Sequence, residues 1–475
     1  MDFLLTIAVI AAAIWAVALA IRVSPMAGCL VFLVLTTCFG YEFLHFDLGS
    51  LPLTLDRLWI GVLVVWFVVQ YKLGGVDPKR LARVDIVLLG FLALITISTF
   101  VAGATAQNAG GSPLWHLVVG YLIPAVLYFV ARQSALTEPR VVMVHGFLAL
   151  FGIYLGLTGV AEMTSQWSLV FPRYIADPKI GLHFGRARGP MVQSVSFGLY
   201  LGICSAAALL WMPRMSRAGK LAMLLALPLP LAAAALTLTR SVWMGTALAL
   251  LLLAAVVLKD WLRKLVLFGA IGAAALVVAA NVDNLTSFQR EGTSEDTRSS
   301  AASRASFAYV SWLMFQDRPL LGFGFGQFPE AKLPYLDDRS TSLNLEIIRP
   351  WAHHNTYLSL LVELGLVGFL LYMTLLALWA HYGWRLAQGP RRPAWVKVHG
   401  VLVLCALATY SVQMLFHEVS FTSVDNSIIF LLAGMSVGLS YPGQESRRLD
   451  VGRSVNRQPR HTESGQPVCS EQAKA

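Results

Sequence analysis

The sequence predicts an all-α, polytopic membrane protein of about 12–13 transmembrane helices, with a large extracytoplasmic loop carrying short helices. Three observations carry this. Hydrophobic residues make up 57% of the chain and charged residues only 13%, against about 25% charged in an ordinary soluble domain. Apolar runs of bilayer-spanning length, roughly 17–25 residues, recur along almost the whole chain. Lys and Arg collect in alternate connections, as they do where loops are held on the cytoplasmic side.

In chain order the runs are residues 3–21, 24–40, 55–71, 84–103, 114–131, 141–161, 191–212, 220–238, 241–258, 264–281, 356–379, 396–416 and 424–441. The first follows Met1-Asp2-Phe3-Leu4, which lacks a basic leader segment, and ends at Arg22 without a small-residue cleavage pattern. It therefore reads as a retained helix. The boundaries around Leu51-Pro52 and Arg240-Ser241 are the least sharply marked.

The basic connections hold Lys72, Lys79, Arg80 and Arg83; Arg132 and Arg140; Arg214, Arg217 and Lys220; Lys259, Arg263 and Lys264; and Arg385, Arg391, Arg392 and Lys397. Placing them in the cytoplasm puts the N-terminus outside and Arg22 first inside. The chain then divides into a transmembrane helical domain, 1–441, and a basic cytoplasmic tail, 442–475. That tail carries Arg447, Arg448, Arg453, Arg457 and Arg460 among Gly, Ser, Gln and Pro, and reads as disordered. The net charge of +10 serves orientation and attraction to anionic membrane lipids. The cations form no single stripe interleaved with aromatics, so no nucleic-acid partner is expected.

On the outer face three connections stand out: 162–190, the turn at 239–240, and 282–355, which contains the active-site motif discussed below. The last begins polar around Gly292–Ser300 and then acquires helical spacing at Phe307, Val310, Ser311 and Met314. A short helix lying on the membrane is expected there, followed by a tight aromatic and glycine-rich loop over Pro319–Gly326.

Arg186 and Arg188 stand in Gly185-Arg186-Ala187-Arg188-Gly189-Pro190, just before a helix whose first turn offers free N–H groups to an anion. The pair fits a phosphate or diphosphate; the same residues equally suit a loop anchor or a lipid head group. Arg240 lies between two apolar runs with almost no loop around it. A cation near such depth costs about 2.5–3.5 kcal/mol at a helix centre and calls for a partner. Glu162, Glu363 and the phosphates of a lipid-linked substrate are the alternatives.

His354, in Trp351-Ala352-His353-His354-Asn355-Thr356-Tyr357-Leu358, closes a polar stretch and opens an apolar helix. An imidazole there can move a proton near neutral pH. Alone, however, a histidine beside Asn355 at a helix start reads as a cap or a hydrogen-bonded structural group, and His353 leaves the choice of ring open. Glu363, nine residues on, falls on the opposite helix face and reads as packing or orienting its helix. Cys29, Cys38, Cys204, Cys405 and Cys469 show no Cys-x-x-Cys spacing. Neither an Asp-x-Asp pair, a phosphate-binding P-loop nor a Gly-x-Ser-x-Gly turn occurs, so no metal and no nucleotide cofactor is expected. Asp337-Asp338 beside Arg339 reads as solvated.

The stretch Arg318-Pro319-Leu320-Leu321-Gly322-Phe323-Gly324, followed by His354-Asn355-Thr356-Tyr357-Leu358 and Glu363-Leu364-Gly365-Leu366-Val367-Gly368, resembles the O-antigen ligase and O-antigen polymerase family of bacterial membrane glycosyltransferases. Arg186-Ala187-Arg188-Gly189 and Thr239-Arg240-Ser241-Val242-Trp243 are similar to that family's two arginine-bearing motifs. The resemblance implies a multi-pass protein of the bacterial inner (plasma) membrane with an extracytoplasmic active site. It implies transfer of a glycan from an undecaprenyl-diphosphate carrier to an acceptor hydroxyl, on a lipid A core or another glycan, inverting and without metal. Carried over, Arg186 or Arg188 and Arg240 hold the diphosphate and His354 activates the acceptor, with His353, Asn355 and Glu363 in support. Two arginines compete for one role in the first motif. Ligase-type transfer is the first expectation and polymerase activity the near alternative. A lipid-linked sugar transporter or flippase, with Arg240 and Glu363 lining a path, is the rival from another class, though no internal repeat supports it.

Overall fold

The computed structural model describes residues 24–48, 51–104, 111–266, 268, 269, 272, 294–419 and 421–441. The expected span 3–21, most of 264–281, the first two residues of the polar stretch Gly292–Ser300 and the tail 442–475 lie outside the described residues, as does Cys469; the rest of that stretch, 294–300, is helical.

Among the described residues the architecture is helical apart from one hairpin. Its helices are α1 (Pro25–Cys38), α2 (Leu55–Lys72), α3 (Arg83–Ala102), α4 (Pro113–Gln133), α5 (Glu138–Met163), α6 (Ser194–Trp211), α7 (Arg217–Ala226), α8 (Pro228–Leu236), α9 (Arg240–Val257), α10 (Ser294–Asp317), α11 (Thr356–Gln388), α12 (Ala394–Phe416) and α13 (Ser423–Ser440). Nine segments among the described residues are long and apolar enough to cross a membrane: α3, α4, α5, α6, α7 with α8, α9, α11, α12 and α13. The expected span 220–238 is two helices meeting at Pro228, whose ring cannot donate to a continuous ladder. The hairpin β1 (His45–Leu48) and β2 (Leu51–Thr54), paired antiparallel with Leu48 opposite Leu51, was not expected.

Small residues let the helices approach. A Cβ on Gly434 of α13 would lie 2.3 Å from the Tyr128 carbonyl oxygen of α4, and one on Gly156 of α5 would lie 2.4 Å from the Pro230 nitrogen of α8. Such close backbone packing is how helices associate where lipid offers no hydrophobic drive. Around it the core is fully buried aromatic and aliphatic bulk, with Trp379, Tyr128, Tyr200, Tyr372 and Tyr410 at its centre.

Residues 294–355 build a separate lobe at one end of the bundle. Phe307, Val310 and Met314 of α10 pack on Phe328, Leu336, Leu345 and Ile348, and Val362 of α11 joins them. The helix expected here is present, but its apolar stripe is buried against the lobe's own turns and so is not free to lie on lipid.

The lobe is sewn into α11 at an interruption. Gly365 takes φ 65° and ψ −169°, backbone open to glycine at little cost. The turn 318–326 fills the gap: Phe323 and Gly324 N–H donate to the Val362 and Glu363 carbonyls, at 3.0 and 2.9 Å. Leu366 and Val367 N–H donate in turn to the Pro319 and Leu320 carbonyls, at 2.8 and 3.2 Å. Four backbone groups orphaned by the break are thereby satisfied.

Candidate active site

The N-terminal ends of α6, α9, α11 and α13 and the C-terminal ends of α5, α8 and α12 meet below this lobe. A continuous set of hydrogen bonds fixes them. Ala187 N–H donates to the Leu236 carbonyl at 3.0 Å, tying the Arg186–Arg188 loop to the end of α8, four residues before Arg240. Ser241 Oγ and His417 Nε2 are bonded at 2.9 Å, joining the start of α9 to the end of α12. Thr356 Oγ1 donates to the His417 carbonyl at 2.8 Å and accepts from Val419 N–H at 3.0 Å, joining α12 to α11. Arg186, Arg240 and His354, far apart in sequence, are therefore gathered at one end of the bundle.

The histidine pair separates into two roles. His353 is 2% exposed; its Nδ1 accepts from Asn355 N–H at 3.0 Å. The proton of the neutral ring thus sits on Nε2, which donates to Ser311 Oγ at 2.8 Å. Burial, with the charges of His354 and Lys332 adding, lowers its pKa to about 3. Both nitrogens are committed, which makes His353 a structural brace between α10 and the start of α11. His354 is exposed, with its ring edge-to-face on Phe307 at 5.2 Å and tilted on Trp351 at 6.0 Å. Partial burial by these rings, then the nearby Arg304 cation, holds its pKa below the ordinary imidazole value. The ring is neutral and able to accept a proton at pH 7.

Asn355 supplies the cap that the sequence associated with this turn. Its Oδ1 accepts from Leu358 N–H at 3.0 Å and its Nδ2 donates to the Leu415 carbonyl at 2.9 Å. Lys332, beneath the lobe, donates to the Ile348 carbonyl at 2.7 Å and to the Trp351 carbonyl, which fixes the segment leading into His354. Burial lowers its pKa to about 8.

The two arginines of the first motif also part. Arg188 is fully buried. Its Nε faces Glu162 Oε1 at 3.3 Å, and its terminal nitrogens donate to the Ile180 and Ile175 carbonyls at 2.7 and 3.0 Å. Arg188 and Gly189 N–H donate to Glu162 Oε2 at 2.8 and 2.9 Å. The anion expected at these N–H groups is thus the protein's own carboxylate. α6 itself starts only at Ser194, because Gly189–Met191 form a short 3₁₀ turn. Arg186 is half-buried and lines a cleft of about 160 Å³.

Arg240 is the first residue of α9 and is exposed. The two carboxylates considered as its partners are engaged elsewhere: Glu162 as above, and Glu363 by Gly326 N–H at 2.8 Å and Phe328 N–H at 3.2 Å. Glu363 therefore holds the glycine-rich turn and supports His354 only through the lobe.

His417 and Arg304 were missed by the sequence reading. His417, at the end of α12, has its pKa lowered to about 3 by burial and then by Arg304 and His354. Arg304 of α10 lies 5.9 Å from the Phe416 ring. The signal available was His417-Glu418, a polar pair ending an apolar run as His353-His354 opens one. Asp338, read as solvated, accepts from Tyr309 Oη at 2.7 Å and Ser340 N–H at 2.8 Å. Among the described residues no group of three or more His, Cys, Asp or Glu could hold a metal ion.

The comparisons bear out the resemblance read from the motifs. Residues 221–373 match the family described as O-antigen ligase. That range takes in Arg240, the lobe, the glycine-rich turn, His353, His354 and Glu363, and leaves out Arg186, Arg188 and His417. None of the curated proteins matches the chain.

Proposed function

Starting from an O-antigen ligase domain in a helical membrane protein, we propose that this protein transfers a glycan from an undecaprenyl-diphosphate carrier to an acceptor hydroxyl, ligase-fashion, at the extracytoplasmic face of the bacterial inner membrane. The observation that carries the reading is the convergence of Arg186, Arg240 and His354 on one end of the bundle through the Ala187–Leu236, Ser241–His417 and Thr356–His417 bonds.

The division of labour follows from the chemistry. His354 Nε2 or Nδ1 takes the proton of the acceptor hydroxyl as its oxygen attacks the anomeric carbon. The bond from that carbon to the diphosphate breaks, and its electron pair leaves with the diphosphate. Arg186 and Arg240 stabilise that charge; guanidinium forks match phosphate oxygens, and the positive end of α9 adds to them. A single displacement inverts the anomeric centre. Arg188 does not touch substrate in this scheme; it braces the Arg186 loop through Glu162. The basic residues Lys72, Arg132 and Arg385, in the last turns of α2, α4 and α11, and Arg214 and Lys259, just beyond α6 and α9, lie at helix ends remote from the His354 end, which supports a cytoplasmic opposite face and a cytoplasmic C-terminus.

The test is transfer by the purified, lipid-reconstituted protein with an undecaprenyl-diphosphate-linked glycan and a lipid A core acceptor. His354→Ala is expected to slow transfer by about 10²–10⁴-fold, the range for loss of a general base, and Arg240→Ala by about 10²–10³-fold, both at wild-type melting temperature. Wild-type turnover in either variant would overturn the assignment. Free polymer without lipid A linkage would assign polymerase activity in place of ligation.

A further inference from the structure

The cleft beside Arg186 has a wall that the transfer chemistry does not use. It is lined by Glu162, Met163 and Ser165 at the end of α5, by Trp167, and by Phe184, Gly185 and Arg186. Trp167 and Phe184 lie with ring centroids 6.3 Å apart and planes 15° from parallel, so both rings bring aromatic surface of one orientation to the cleft. The Arg188 guanidinium carbon lies 4.8 Å from the Phe184 ring centroid and backs that surface from within. Phe184 is nonetheless 46% exposed.

Opposite chemistry borders the flat wall. Arg186 brings guanidinium donors, Glu162 a carboxylate already aimed by three N–H groups, and Ser165 a hydroxyl. Gly185, at φ 93°, has nothing within 4 Å of where a Cβ would stand, which keeps the mouth clear. Ser165 and His183, on the two strands of chain that bound the cleft, hold φ of 56° and 59°. At Ser165 this is the left-handed C-cap of α5, with Ser165 and Gln166 N–H donating to the Glu162 and Ala161 carbonyls at 3.2 and 2.9 Å, which fixes the chain end that carries Trp167.

An apolar planar face edged by hydrogen-bonding groups is complementary to a sugar ring, whose C–H faces are apolar and whose hydroxyls point outward. The volume suits one ring. We infer that this cleft is a saccharide subsite, formed by Trp167, Phe184, Ser165, Glu162 and Arg186, for the sugar joined directly to the diphosphate. The assignment to the donor rests on the transferase reading, in which Arg186 binds the diphosphate; the same side chain then sets the sugar against the aromatic wall.

The test compares two probes on full-length protein in lipid nanodiscs: undecaprenyl diphosphate, and undecaprenyl diphosphate carrying one glucose, galactose or N-acetylglucosamine. Wild type is expected to bind at least one sugar-bearing carrier about tenfold more tightly than the bare one, the scale of a good aromatic contact. Trp167→Ala should erase that preference while leaving the bare carrier's affinity unchanged, and Trp167→Phe should keep it. A preference surviving in Trp167→Ala overturns the subsite, as does equal weakening of both probes. Wild-type binding of the bare carrier with no sugar preference also overturns it and leaves the transferase reading standing. Failure of wild type to bind either carrier removes both. A preference seen with free saccharide and absent from the carrier-linked sugar overturns the donor assignment in favour of an acceptor.

Discussion

The two ends of the bundle handle charge by different means. Away from the lobe, Arg132 and Asp85 form an ion pair at 2.7 Å with both side chains fully buried, and Tyr128 Oη donates to the same carboxylate at 2.7 Å. Lys79 is drawn in as well, donating to the Arg132 and Ser134 carbonyls at 2.9 and 2.7 Å. At the His354 end the carboxylates of Glu162 and Glu363 are filled chiefly by backbone N–H groups. One end relies on a buried ion pair between helices; the other sets backbone donors around its carboxylates, beside the Arg188–Glu162 pair and the His417 bonds. Arg240 and His354 are both exposed at that end.

The sharpest break in this contrast is Arg132→Met. It leaves Asp85 buried without its cation and should cost about 3–5 kcal/mol, read as a lower melting temperature or loss of folded protein, whereas Arg240→Ala leaves melting unchanged. Glu363→Ala comes next. The Gly326 and Phe328 N–H groups lose their acceptor, at about 1–3 kcal/mol for each buried orphan, and transfer should fall with stability because the turn beneath the lobe loosens. The unfolded chain protonates its histidines near 6.5, while folded His353 and His417 do so only near 3. The unfolded state binds more protons below 6.5, so stability should decline as pH falls from there towards 3. The acid limb of kcat/KM should lie below 6.5 because His354 is lowered too, and Arg304→Gln, which removes a neighbouring cation, should move that limb upward. The smallest effect is expected at Glu346→Gln. Its pair with Arg349 is exposed, at side-chain exposures of 42% and 50%, and the melting temperature should not move.

Hydropathy made most of the helices legible, because a membrane leaves no other way to satisfy the backbone over a long apolar run. It could not reveal the interruption at Gly365: the residues on both sides, Glu363-Leu364 and Leu366-Val367, continue one run, and the break exists only because a turn some forty residues earlier supplies the missing partners. The β1–β2 hairpin was hidden by strands of four residues, one containing Pro52. Within the site, His354 and Arg240 were visible from their positions at apolar boundaries. Arg186 and Arg188 were not separable, since the deciding residue, Glu162, belongs to another helix. His417-Glu418 marks only the end of an apolar run; the place of His417 in the site follows from Ser241 and Thr356, which only folding brings to it.

The stitched interruption at Gly365 also bears on how far the lobe is a module. Because the Pro319, Leu320, Phe323 and Gly324 backbone groups complete the ladder of α11, residues 318–326 and 362–367 share one set of hydrogen bonds. A graft that exchanges the lobe alone between related chains would bring a foreign loop to a helix cut for another. The transplantable unit runs from α10 through residue 367, and any exchange of the lobe has to move across that seam as one piece.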